Sequence, residues 1–288
     1  MPSGPIDYRF IADGQEIRAR ATPRETLLTN AGAAAAEVIV AARPEALPAG
    51  RTRTFAHAGG GEGRRLRGVA FDLDGVIVTT DRLHYRAWKE LADELGLDFD
   101  EQVNNQLRGV ARSESLKRIY RHNDAPLPDE ATFRAQCDRK NARYVELVGA
   151  MTPADVLPGS RELLDALRAA GIAAALASAS RNAPLVLERT GLAAAFDAVV
   201  DGSAATEAKP SPQGFLLAAL RLGLSPWDCI GVEDASAGIE AIRLAGMVAL
   251  GVGPAAAGAH ANVAGLHEVT VDSLRALFAR TVKTRDAP

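Results

Sequence analysis

The 288-residue sequence predicts an α/β protein, a doubly wound parallel sheet with an inserted helical cap and a small β-rich N-terminal appendage. Three observations lead there. From Leu66 onward, apolar runs of strand length alternate with helical segments. The interval 79–155 breaks that rhythm with helices alone, and the first 65 residues read as short strands without it. The division is 1–65 for appendage and linker, 66–78 with 156–288 for the core, and 79–155 for the cap.

In the appendage, Tyr8–Ile11 and Glu16–Ala19 flank an Asp13-Gly14 turn, with further extended runs near Thr26–Leu28 and Val38–Ala41. Ala56–Gly63, which contains Gly59, Gly60 and Gly61, has the composition of a flexible linker. Val69–Phe71 is the first core strand. In the cap, Arg82–Leu95 puts Trp88, Leu91 and Leu95 on one face and closes at Gly96, while Thr132–Val148 offers Phe133, Cys137, Tyr144 and Leu147. Trp88 is expected in the cap's own core. Strands return at Ile172–Ala177, Ala198–Val200, Cys229–Val232 and Val248–Val252. Helices Arg161–Ala170, Pro184–Thr190, Pro212–Leu222 and Ala237–Ala245 each run into a glycine suited to a left-handed stop, at 171, 191, 223 and 246. Such alternation requires crossover connections, which make the sheet parallel and cover both its faces.

Composition narrows the function classes. With 47% hydrophobic and 24% charged residues, the chain carries too much apolar material for a disordered segment. The longest apolar-looking stretch, Ala31–Ala42, contains Glu37 and falls short of the roughly 20 residues needed to span a membrane. The opening residues lack the basic start and apolar run of a secretory signal, so a cytoplasmic location is expected. Cys137 and Cys229 fit neither a metal spacing nor a disulfide framework and are expected reduced and buried. A net charge of -3 argues against a nucleic-acid partner and leaves a small anionic substrate.

In an open parallel sheet, ligands bind beyond the carboxyl ends of the strands. Those ends hold Asp72 and Asp74 after the first strand, Ser178 and Ser180 after the second, Lys209 before Pro210 after the third, and Glu233 with Asp234 after the fourth. Clustered carboxylates repel one another unless a cation joins them. Mg²⁺ takes one or two carboxylates and leaves places for water and a phosphate oxygen, which makes Asp72 and Asp234 the natural ligands. Lys209 and the Ser178 hydroxyl can then hold a phosphate while Asp72 attacks phosphorus to give an aspartyl phosphate. Asp74 would project from the same side if the strand geometry continued, as the acid–base partner.

This ordered set resembles the haloacid dehalogenase superfamily of phosphotransferases over about Arg67–Gly253. Within that superfamily it is similar to the β-phosphoglucomutase family. The stretches that carry the likeness are Phe71-Asp-Leu-Asp-Gly-Val-Ile77, His84-Tyr-Arg-Ala-Trp88, Leu107-Arg-Gly-Val-Ala-Arg112, Leu176-Ala-Ser-Ala-Ser-Arg-Asn182 and Glu233-Asp-Ala-Ser-Ala-Gly238. The resemblance implies interconversion of β-D-glucose 1-phosphate and glucose 6-phosphate, with Mg²⁺ as cofactor and β-glucose 1,6-bisphosphate as primer and intermediate. It implies Asp72 as phosphorylated nucleophile and Asp74 as acid–base. The metal would be held by Asp72, the backbone carbonyl of Asp74, and Asp234 assisted by Glu233. Ser178 and Lys209 would hold the transferring phosphate, and Arg112, Ser180, Arg181 and Asn182 the distal one. His84 and Lys140 would belong to the closing cap and hinge, and Leu107, Arg108, Gly109 and Ala179 to the substrate surface. Thr79, Arg108, Ala111, Arg181 and Ala235 depart from residues frequent in that pattern and bear on sugar preference more than on reaction type.

A Mg²⁺-dependent sugar-phosphate phosphatase on the same fold is the alternative, and a binding or assembly module is the rival from another class. The segment Tyr8–Phe55 is similar to the small C-terminal β domain of family 65 glycoside phosphorylases, which implies a functional link to such an enzyme.

Overall fold

The computed structural model describes residues 6–12, 15–21, 26–30, 64–107, 110, 112–205 and 207–285. Near the N-terminus, β1 (Ile6–Ala12), β2 (Gln15–Ala21) and β3 (Thr26–Asn30) form an antiparallel sheet in that order, with Ala12 opposite Gln15 as the hairpin reading expects. The run near Val38–Ala41, the linker Ala56–Gly63, and Arg108, Gly109 and Ala111 lie outside the described residues.

The alternation that begins at Leu66 becomes a six-stranded parallel sheet. Its strands are β4 (Gly68–Phe71), β5 (Ala173–Ala177), β6 (Ala198–Val200), β7 (Cys229–Glu233), β8 (Val248–Val252) and β9 (Ala261–Val263), arranged β6-β5-β4-β7-β8-β9. The chain winds outward from β4 to β6, then returns to β7 on the other side and winds outward again. This reversal puts the switch point between β4 and β7, where the carboxyl ends of neighbouring strands diverge and leave a crevice.

Strand periodicity of two divides the side chains between two apolar layers. Val69 and Phe71 join Leu164 and Leu167 of α5 (Ser160–Ala169), Val186 of α6 (Ala183–Arg189) and Phe278 of α9 (Val271–Arg285). Ala70, Ala175 and Ala177 face Phe215 and Leu216 of α7 (Gln213–Leu222) and Ile239 and Ile242 of α8 (Ser236–Leu244). The small residues on this second face let α7 and α8 lie close to the sheet. The predicted stops at Gly171, Gly191, Gly223 and Gly246 all adopt positive φ. Sequence reading does not contain β9 or α9. β9 has only three residues at the sheet edge, too few for an apolar run. The spacing of Leu274, Leu277, Phe278, Thr281 and Val282 carries α9's buried stripe.

The interval after β4 holds α1 (Asp81–Leu95), α2 (Glu101–Asn105), α3 (Arg112–His122) and α4 (Glu130–Gly149). Trp88, Leu91, Val103, Leu107, Leu116 and Ile119 form a separate apolar cluster, with Trp88 3% exposed, as expected of a cap core. Tyr144 and Val148 of α4 and Ala87 of α1 pack instead into the sheet's own cluster, tying these helices to the layer above β4. Cys137 and Cys229 are free and buried. Among the described residues, no helix is long and apolar enough to cross a membrane.

Candidate active site

β4 and β7 deliver their terminal carboxylates to the crevice between them. Asp72 continues the ladder by donating its N–H to the Val232 carbonyl at 2.9 Å, which fixes it beside Glu233. Asp72, Glu233 and Asp234 each offer a carboxylate oxygen within 4.8 Å of the others. Lys209, presented by the loop after β6, donates to Asp72 and, at 2.6 Å, to Glu233 Oε2. Both carboxylates are buried, and the Lys209 side chain is 17% exposed.

Burial, followed by the neighbouring charge of Glu233, lifts the Asp72 carboxyl to about 7, against the opposing pull of Lys209. Burial also raises Glu233 and Asp234. Lys209 stays charged, because its two carboxylate partners outweigh the burial that would otherwise neutralise it. When ionised, three carboxylates and one ammonium leave a net charge of −2, which a divalent cation matches. The donor set, all hard carboxylate oxygen, fits Mg²⁺.

The roles within this set differ. Glu233 Oε2 is taken by Lys209, while Oε1 accepts from the backbone N–H of Asp234 at 3.2 Å and of Ala235 at 3.3 Å. It thereby caps α8, whose Ala235 N-cap has no side chain able to do so. That leaves Asp72 and Asp234 as the groups best able to ligate directly. Gly75, at φ +77°, lies so close to Asp234 that a Cβ there would overlap the carboxylate.

Asp74 departs from the expectation that it simply continues the strand. β4 ends at Phe71, and the chain folds back with Ile77 N–H and Val78 N–H donating to the Leu73 carbonyl and Gly75 N–H to the Val78 carbonyl. Asp74 Oδ1 accepts from Thr80 N–H at 2.7 Å and Thr80 Oγ1 at 2.5 Å. Burial raises its carboxyl to about 6, with both Thr80 bonds acting the other way. Thr80 is the N-cap of α1 yet makes no side-chain cap bond, its hydroxyl being spent on Asp74. Sequence reading missed Thr80. A threonine at a helix entrance looks like an ordinary cap, and only the fold-back of the chain turns it toward Asp74.

Ser178 directly follows β5, buried, with its Oγ accepting from Ser180 N–H at 3.1 Å; Ser180 Oγ in turn accepts from Asn182 N–H at 3.2 Å. These successive turns place Ser178, Ser180 and Asn182 along one edge ahead of α6. Ala179 and Arg181 are exposed between them. Arg112 opens α3, where the helix dipole disfavours a cation. Its Nη2 donates at 2.6 Å to Asn141 Oδ1, which also accepts from Asn182 Nδ2 at 3.0 Å. Asn141 was not foreseen, since nothing in its local pattern marks it.

Lys140 Nζ lies 2.7 Å from His84 Nδ1 and 4.8 Å from the ring centroids of Trp88 and Tyr144, with His84 stacked on Tyr144. Burial, then the Arg112 charge, brings the Lys140 ammonium down to about 7. Burial and Lys140 hold His84 well below its usual range. His84 and Lys140 thus form one unit of the inserted helices, near enough to Asp74 for its charge to act on Lys140. Leu107 is buried in the cap cluster.

A doubly wound sheet whose switch point gathers Asp72, Lys209, Glu233 and Asp234, with helices inserted after the first strand, defines a class, and the chain belongs to the haloacid dehalogenase-like hydrolase family, which matches residues 66–246. Within it, the chain is 43% identical over 189 residues to a β-phosphoglucomutase of Bacillus subtilis (strain 168), covering 65% of this chain and 84% of that one. The crystal structure of a β-phosphoglucomutase from Clostridium difficile superposes with a TM-score of 0.73 at 36% identity, covering 76% of this chain and 99% of that one. A fructose-1-phosphate phosphatase of Escherichia coli (strain K12) is 34% identical over 191 residues, covering 65% of this chain and 97% of that one.

Proposed function

We propose that the chain is a Mg²⁺-dependent β-phosphoglucomutase, interconverting β-D-glucose 1-phosphate and glucose 6-phosphate through β-glucose 1,6-bisphosphate. The observation that carries this reading is a second set of hydrogen-bond donors, Arg112 from the inserted helices and Asn182 from the sheet edge, drawn together in addition to Lys209 and Ser178 and suited to a second phosphate. A phosphatase acting on one phosphate has no need of it, whereas a bisphosphate needs a site at each end.

In this reading Asp72 attacks phosphorus, the bond to the sugar oxygen breaks, and Asp74 supplies the proton that oxygen takes up. In the reverse half, a sugar hydroxyl gives its proton to Asp74 as it attacks the phosphoryl group on Asp72. A carboxyl near 6 can both give and take that proton at neutral pH. Lys209 and Ser178 orient the transferring phosphate, and Arg112, Ser180, Arg181 and Asn182 the distal one. Asp72 and Asp234 would hold Mg²⁺, with Glu233 fixing Lys209 and the start of α8. When bound, the ion offsets the clustered negative charge and lets a carboxylate approach a phosphate. Arg108, Gly109 and Ala179 border the sugar in this reading. Closure of the helices over the crevice keeps water from the aspartyl phosphate.

The test follows glucose 6-phosphate and inorganic phosphate together, with Mg²⁺ and β-glucose 1-phosphate, with and without added bisphosphate. Glucose 6-phosphate stimulated by bisphosphate, with little free phosphate, supports the mutase. Stoichiometric phosphate and glucose would replace it with the second reading, a sugar-phosphate phosphatase, which the similarity to the fructose-1-phosphate phosphatase favours. For the N-terminal strands we infer a link to a glycoside phosphorylase that releases β-glucose 1-phosphate. Size-exclusion chromatography of the full chain and of residues 66–288 with such an enzyme tests it, and identical elution of both would count against it.

A further inference from the structure

Asn141 lies on α4 beside Lys140, half-buried, and its single side-chain oxygen accepts from Arg112 Nη2 at 2.6 Å and Asn182 Nδ2 at 3.0 Å. Arg112 belongs to the inserted helices and Asn182 to the carboxyl edge of the sheet, so one amide oxygen ties the two layers together. Among the described residues, Arg112 makes no salt bridge, although it is half-buried and sits where a helix dipole repels it. The acceptor that holds its guanidinium is the neutral amide of Asn141.

We propose that Asn141 is a positioning residue that occupies the distal-phosphate donors in the substrate-free protein and yields them to the phosphate. The inference rests on the mutase reading. A neutral amide oxygen accepts from a guanidinium more weakly than a phosphate dianion does, so the exchange runs toward the phosphate. Until then Arg112 and Asn182 are held side by side on Asn141, and the ordering of these side chains is complete before substrate arrives. Asparagine, unlike aspartate, can also reverse. Turned about its last side-chain bond, it presents Nδ2 to the incoming oxygens, whereas a carboxylate at this position would keep Arg112 as a permanent ion pair and repel the phosphate.

The test compares wild type, Asn141→Ala and Asn141→Asp, measuring KM and kcat for conversion of β-glucose 1-phosphate to glucose 6-phosphate with Mg²⁺ and bisphosphate, with melting temperatures to establish folding. Asn141→Asp should raise KM about tenfold or more, because it sets like charge against the phosphate. Asn141→Ala, which removes the tie without adding charge, should raise KM by a smaller factor, and in both variants KM should change more than kcat. A purely structural role would instead lower the melting temperature and kcat in both variants alike, without that order in KM. Equal KM for all three proteins, or a larger KM for alanine than for aspartate, would overturn the role of Asn141. A wild-type protein that makes no glucose 6-phosphate would overturn the mutase reading itself, and this inference with it.

Discussion

Replacing Lys209 by Met removes the ammonium that lies between Asp72 and Glu233 and leaves Asp72, Glu233 and Asp234 facing one another in a buried crevice. Methionine fills much of the same volume, so the change is chiefly one of charge. Removing one partner of a buried ion pair destabilises a protein by about 3–5 kcal/mol. For a domain of this size that corresponds to a fall in Tm of roughly 6–20 °C. The assay is thermal unfolding at about pH 8 in EDTA, repeated with excess Mg²⁺. A cation that binds the folded state at a hundred times its Kd contributes about 2.7 kcal/mol, so Mg²⁺ should recover much of the loss. It should also raise the Tm of the variant more than that of wild type, since it supplies positive charge where the ammonium is missing. The pH dependence has a definite sign. Asp72 stands at about 7 in the folded protein against 3.8 unfolded. A raised carboxyl stabilises the fold most when protonated, and that contribution disappears as pH rises through the folded value. The deficit of the variant should therefore shrink as pH falls from about 8 to about 5.5, where native Asp72 takes up a proton. A variant melting within about 2 °C of wild type at pH 8 in EDTA, or a deficit that grows on acidification, would refute the account of this cluster.

Gly75→Ala combines a left-handed backbone, a strain of roughly 1–2 kcal/mol, with a collision against the Asp234 carboxylate; Mg²⁺ titration of turnover should show at least about a tenfold loss of apparent affinity. Thr80→Ala removes the side-chain hydrogen bond, the larger of the two Thr80 interactions that hold the Asp74 carboxyl down, and leaves the backbone N–H in place, so the limb of the pH–rate profile that reports Asp74 should move to higher pH. Asp74→Asn can still accept from Thr80 but carries no exchangeable acid, and turnover should fall by about 10²–10⁴ with the fold retained by circular dichroism. Lys140 is depressed to about 7 in the fold from 10.5, so its burial costs stability at and below pH 7, and that cost fades as pH rises toward 10.5. Lys140→Met should accordingly melt higher than wild type near pH 6, with the gap closing near pH 9, while losing turnover.

The pattern of the core was legible because each element declares itself locally. Apolar runs such as Cys229–Val232 cannot be solvated, and Gly171, Gly191, Gly223 and Gly246 stop helices through backbone freedom that belongs to the residue itself. Asp72, Glu233 and Asp234 were legible for a related reason, and Lys209 only as a lysine before proline in the loop after a strand. A polar residue just past a buried strand must lie at the sheet's carboxyl edge, whatever the packing elsewhere. The three-residue β9 was not, because an edge strand held by neighbouring backbone needs no side-chain pattern of its own.

By itself, then, the sequence determined the parallel α/β core, the helices inserted after its first strand, and the inventory of charged groups at the strand ends, since periodicity and chain order alone specify these. The tertiary structure decided which of those groups meet. It turned Asp74 onto Thr80, where an extended strand would have aimed it beside Asp72; it assigned Glu233 to Lys209 and the start of α8; and it brought Arg112 and Asn182 onto the side-chain oxygen of Asn141. Hydrogen bonds between residues dozens of positions apart depend on distances of a few ångströms, and those are set by how helices pack on the sheet, about which no local run of residues carries information.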